Sequence, residues 1–143
     1  MRTKLIDSQG GKTYAVVFDK GDEVVAGLTD LAKRERWAGS HLTAIGAFSD
    51  VTLGYFDRER KAYLKIPVKE QVEVLSLIGD IALDDGQPKL HAHVVVGKRD
   101  GTTRGGHLIE AHVWPTLEVI VTESPQALTR VMDRDAGLAL IRL

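Results

Sequence analysis

Apolar and polar positions along this chain repeat at two periods, and the changes from one to the other mark out its elements. Thr13–Asp19 (TYAVVFD) is rich in β-branched and aromatic residues, is ended by Lys20-Gly21, and predicts a first strand. The period then becomes helical. Val24, Val25, Leu28, Leu31 and Ala32 share one face of a helix predicted over Glu23–Trp37, with Asp22 as its N-cap. Lys33, Arg34 and Arg36 close that helix, where the dipole favours cations, so they predict a solvated helix end in preference to a DNA contact. Trp37 is expected to pack, not to stack on a base. His41–Phe56 alternates loosely around Gly46 and Gly54 and predicts one long bent strand or two segments kinked at Ser49-Asp50. Arg58-Glu59-Arg60 is a polar turn leading to a hairpin partner over Lys61–Lys69, where Pro67 argues for a sheet edge.

Gln71–Leu83 (QVEVLSLIGDIAL) is apolar on both faces, as a central strand covered on both sides should be. Lys89–Leu108 (KLHAHVVVGKRDGTTRGGHL) predicts a β-hairpin turning at Lys98–Gly101. Its first arm sends Leu90, Ala92, Val94 and Val96 to one face and His91, His93 and Val95 to the other. Strict alternation past His107 places Ile109 and Ala111 with it, and Leu108, Glu110 and His112 opposite. Beyond Pro115, Leu117–Glu123 is a further strand with Glu118 and Ile120 sharing a face. Ser124-Pro125 then predicts the start of a short helix with Leu128, Val131 and Met132 inside, and Leu138–Leu143 a last strand or extended tail. The expected fold class is α/β: a single two-layer domain over residues 1–143, with a central mixed, largely antiparallel sheet, a long N-terminal helix and a short C-terminal one.

The chemistry gathers in the hairpin. His91 and His93 at i and i+2 of a strand point the same way with Cα atoms roughly 6.6 Å apart. Two imidazoles so placed can lean onto one ion, and a returning strand from Gly105-Gly106 could bring His107 opposite them. The paired glycines permit unusual backbone angles and close approach of a backbone or ligand. A lone His-x-His more commonly leaves two solvated or satisfied rings, and a one-residue slip would turn His107 to the other face.

His91-Ala92-His93, Asp100-Gly101, Gly105-Gly106-His107-Leu108, Thr116-Leu117-Glu118-Val119 and the upstream Val74–Gly79 strand together resemble the PPC domain, "plants and prokaryotes conserved". The likeness runs from about Tyr14 to about Leu140. It implies an α/β fold and a homotrimer, and it implies that His91, His93 and His107 hold a metal, as in prokaryotic members. In plants the domain accompanies AT-hook segments in DNA-binding regulators. The Arg-Gly-Arg-Pro core of an AT-hook is absent here, since Gly101–Gly106 reads GTTRGG.

Composition narrows the rest. A chain of 143 residues, 43% hydrophobic and without cysteine, can bury a core without disulfides, and any metal must use histidine, carboxylate or water. The first residues lack a signal-peptide core and no run reaches roughly 18 apolar residues, so a cytoplasmic protein without membrane contact is expected. A net charge of −1 provides no global field for phosphate backbones. There is no phosphate loop, GxSxG elbow or GxGxxG fingerprint. Two functions stay open. One is a trimeric three-histidine site for a divalent transition metal, zinc foremost, that takes a small ligand or serves regulation. The other is a DNA-binding regulatory protein, with DNA weak for this chain alone and the metal structural or absent. Glu118, Glu73, Arg104, Gly105 and Gly106 are the candidates around the metal. Only Glu118 or Glu73 could be nominated as a base, which leaves enzyme status undecided. Val95 beside the histidines favours a neighbouring subunit over solvent.

Overall fold

The computed structural model describes residues 1–9 and 11–143. In chain order its elements are β1 (Arg2–Asp7), β2 (Thr13–Phe18), α1 (Val24–Glu35), β3 (Gly39–Asp57), β4 (Ala62–Val68), β5 (Val72–Asp84), β6 (Gln87–Gly97), β7 (Thr103–Glu123), β8 (Thr129–Asp133) and β9 (Leu138–Arg142). The fold is therefore mostly β, 66% strand and 8% helix in one mixed sheet, and not the two-layer α/β arrangement expected.

The difference has two physical sources. The N-terminal helix is short: its 12 residues bury Val24, Leu28, Leu31 and Ala32 as the period demands, but Arg36 turns left-handed and its N–H reaches back to Lys33. Its N-cap is Glu23, whose carboxylate accepts from the Val25 and Ala26 N–H groups, and not Asp22, which accepts from Asp19 N–H. The C-terminal helix does not form at all. Backbone groups of residues 124–128 bond to distant partners, Ser124 N–H to Gly39 O and Leu128 N–H to Ala38 O, while Leu128 O accepts from Leu83 N–H. Asp133 then accepts from the N–H groups of Asp135 and Ala136, and Gly137 takes φ +74, which closes a tight β8–β9 hairpin. Tertiary pairing overrides the spacing of Leu128, Val131 and Met132.

β3 and β7 organise the sheet. β3 pairs with β7 almost end to end, and β5 pairs with β3, β6 with β5, and β6 with β7, so four strands close a circuit of hydrogen bonds. β4 pairs β3 alone, which bears out the edge position given by Pro67. β8 joins β5 in parallel at Leu83–Thr129, and the remaining pairs are antiparallel. Inside the circuit lie Phe48, Leu42, Leu77, Val94 and Val119, covered by α1 and by Trp37, which is fully buried against Tyr14 at 5.2 Å between ring centroids. β5 is central but not covered on both faces: Leu75 and Ile78 are exposed. Strict alternation in β7 also fails. Leu108 and Ala111 both enter the core because the pairing slips between Leu53–Leu108 and Thr52–Glu110, a bulge at Ile109.

Candidate metal centre

β6 alternates as its pattern dictates. Ala92, Val94 and Val96 go into the core while His91, His93 and Val95 face outward. A turn at Lys98–Thr102, with Gly101 at φ +81 and Asp100 accepting from the Thr102 N–H and hydroxyl, returns the chain into β7. The register then sets His107 directly across from His93, with Gly54 of β3 on its other side. One ligand nitrogen from each of His91, His93 and His107 lies within 4.8 Å of the others. The His91–His93, His91–His107 and His93–His107 ring centroids are 5.1, 5.3 and 5.6 Å apart. Tyr63 stacks on His107 at 4.4 Å and fixes its plane.

Neither Gly105 nor Gly106 takes a left-handed φ, so close approach is what these positions use. A Cβ on Gly106 would lie 2.7 Å from Gly54 O, backbone that has no room to yield. Gly106→Val is expected to cost about 1–3 kcal/mol or more. Urea unfolding of the variant checks this, and an unchanged midpoint would refute the packing argument.

Burial and the neighbouring His91 and His93 push the His107 pKa down to about 4. His91 is lowered as well, first by burial and then by Arg130, with Asp80 opposing. Both influences favour neutral imidazole, the form that binds metals. His107 Nδ1 is buried without a hydrogen-bond partner, an orphaned atom of the kind a cation satisfies, and a three-imidazole donor set suits zinc, nickel, copper or iron. The residues therefore fit a divalent transition metal.

Within the chain, Glu73, Glu118 and Arg104 stand apart from the histidines. Glu73 pairs with Gly97, five residues along β5 from Ile78, which is the residue opposite His93. Glu118 sits across from Ile45 and Val17, eleven residues from His107, and Arg104 lies opposite Val96. None of the three charges stands beside the histidines within the chain. His112 is likewise apart, its Nδ1 2.9 Å from Asp50, which raises its pKa. The polar groups at the cluster are instead Asp80 and Arg130. Asp80 Oδ2 is 3.7 Å from His91 Nδ1, longer than a hydrogen bond, and its other oxygen accepts from Arg130, whose side chain is 7% exposed. Asp80 stands as a charge inside the apolar Gln71–Leu83 run, whereas the helix expected after Ser124-Pro125 hides Arg130.

Residues 6–125 match the model of the Plants and Prokaryotes Conserved (PCC) domain, the PPC domain under its other abbreviation. The chain belongs to this family. Among solved structures, this PCC chain resembles a candidate DNA-binding protein of Bacteroides thetaiotaomicron with a TM-score of 0.90 at 27% identity, covering 98% of this chain and 96% of that one. It also resembles a metal-containing protein of Archaeoglobus fulgidus with a TM-score of 0.86 at 35% identity, covering 98% and 99%. Among curated proteins it is 33% identical over 115 residues to the bifunctional protein GlmU of Synechococcus sp. (strain JA-3-3Ab), a match that takes in 79% of this PCC chain and 17% of GlmU.

Proposed function

We propose that this PCC chain is a single-domain, cytoplasmic metal-binding module that assembles as a homotrimer. In it His91, His93 and His107 hold one divalent transition metal per chain, zinc foremost, and the site takes a small ligand or serves regulation. The observation that carries this reading is the convergence of three imidazole nitrogens within 4.8 Å, fixed by the His93–His107 register. The metal-containing relative from Archaeoglobus fulgidus supports it. When bound, such a metal supplies Lewis acidity and an attachment point for an anion. The chain's own part is to hold the rings: Tyr63 stacks one, and Asp80, itself held by Arg130, faces another. Glu118 lies on the outward face with Ile45 and Ile120, so a neighbouring subunit could carry it towards the site. Among the described residues no helix is long and apolar enough to cross a membrane. Equilibrium dialysis of EDTA-stripped protein against zinc should return one ion per chain, and no retained zinc would overturn the reading.

The Bacteroides thetaiotaomicron relative favours a second reading, a DNA-binding regulatory role. With a net charge of −1, this chain alone is expected to bind A·T-rich and G·C-rich duplexes alike and weakly, with Kd no tighter than about 10⁻⁶ M at physiological salt. Titration of labelled duplexes decides: selective binding near 10⁻⁸ M, as specific binders reach, would place DNA first.

A further inference from the structure

A cavity of about 160 Å³ adjoins the histidine cluster, bounded by β4, β6, β7 and the C-terminal hairpin. Tyr63, Leu90 and Leu140 give it largely apolar walls, while His91, His107 and Arg130 bring polar atoms to it. Arg130 is under-used for a buried cation. A guanidinium has five N–H donors, and here one nitrogen meets Asp80, another reaches Ala139 O at only 3.4 Å, and Nε is buried with no acceptor.

The charges point the same way. Three neutral imidazoles offset none of a divalent ion's charge, and Asp80, the carboxylate at the cluster, is committed to Arg130. The loaded site therefore lacks an anion on the side where Arg130 lines the cavity. A carboxylate meets both needs, since its planar pair of oxygens matches the guanidinium fork. Leucine walls disfavour a fully hydrated inorganic oxyanion and accept a hydrocarbon body.

We propose that this cavity binds a small aliphatic carboxylate, its charged end towards Arg130 and the histidine-held metal and its hydrocarbon part against Leu90 and Leu140. The proposal rests on the metal-site reading and names the ligand class for it. The test uses the full chain loaded with cobalt(II), whose visible spectrum reports its surroundings, titrated with isobutyrate and separately with inorganic phosphate. Isobutyrate should give a saturable spectral change and phosphate a much weaker one. Arg130→Met should keep one cobalt per chain yet weaken isobutyrate by about 10–100-fold, the usual size of an outer-partner effect. Arg130→Lys retains the charge beside Asp80 and tests the fork should the methionine variant fold poorly. Leu140→Glu, at an exposed wall position, should abolish isobutyrate binding and spare cobalt. Stoichiometric cobalt with a spectrum that isobutyrate leaves unmoved overturns the ligand site and leaves the metal reading standing. Failure to bind cobalt overturns both. Tighter binding of phosphate overturns the carboxylate class, and unaltered isobutyrate affinity in both Arg130 variants overturns the role of Arg130.

Discussion

Replacing Val95 by aspartate is expected to break the proposed trimer into chains of 15.7 kDa, seen in light scattering as a fall from a mass near three times that value. Val95 points out of the circuit, opposite Ser76, with Ile78 the next outward neighbour across from His93. Ile45, Leu75 and Ile120 continue the same outward surface across β3, β5 and β7, and Ile45 and Ile78 are 63% and 57% exposed. Five large aliphatic residues gain little from water, whereas burying each fully is worth about 1.5–3 kcal/mol. Three aspartates carried into such an interface cost several kcal/mol each unless they take up protons. Since Val95 neighbours His93, Ile120→Asp on β7 supplies a control remote from the histidines, and it should dissociate the assembly equally. A trimer that survives both substitutions would place the interface elsewhere, and a wild-type monomer at micromolar concentration would remove the assembly.

Stripped of metal, the protein should lose stability as pH falls from 6.5 to 4, by about 2–3 kcal/mol from His107. Above pH 6.5 the ring is neutral whether folded or unfolded and contributes nothing. Below it the unfolded chain takes up a proton that the folded chain refuses until about pH 4, so acid favours unfolding throughout that window and the loss then levels off. His91, also lowered, adds in the same direction. His112 opposes them, because its raised pKa gives stability that is present below 6.5 and lost as pH rises through the raised value. Urea unfolding of EDTA-treated protein across this range, beside His107→Gln, isolates the effect. The variant should show a distinctly shallower acid slope, and equal slopes would contradict the burial of His107.

Much of the site could be read before the fold was known, because its parts are local. The alternation of Leu90–Val96 fixed the outward face of His91 and His93, and a turn centred on Asp100-Gly101 leaves arms of a length that brings His107 across from His93. The helix spacing from Val24 to Ala32 is legible for the same reason. What failed depended on distant partners. Leu128, Val131 and Met132 fit a helical face, yet Ala38, Gly39 and Leu83 claim the adjoining backbone groups and the chain forms β8. A helical spacing there also hides Arg130, and with it the Asp80 pair beside His91. The bulge at Ile109 was equally silent, since nothing in Leu108–Ala111 betrays a slipped register. β1 is exposed along its whole length and owes its order to pairing with β2, so its RTKLID pattern carried no amphipathic signal.

Elemental analysis of the protein made without a histidine tag, beside its His91→Ala, His93→Ala, His107→Ala triple variant, tests the central claim most directly. The three rings stand outside the aliphatic core, so the variant should keep its fold and circular dichroism. The wild type should carry one divalent transition metal per chain at neutral pH and the variant none. Equal metal content in the two proteins, or a metal-free wild type after saturation with zinc, would contradict a three-histidine centre.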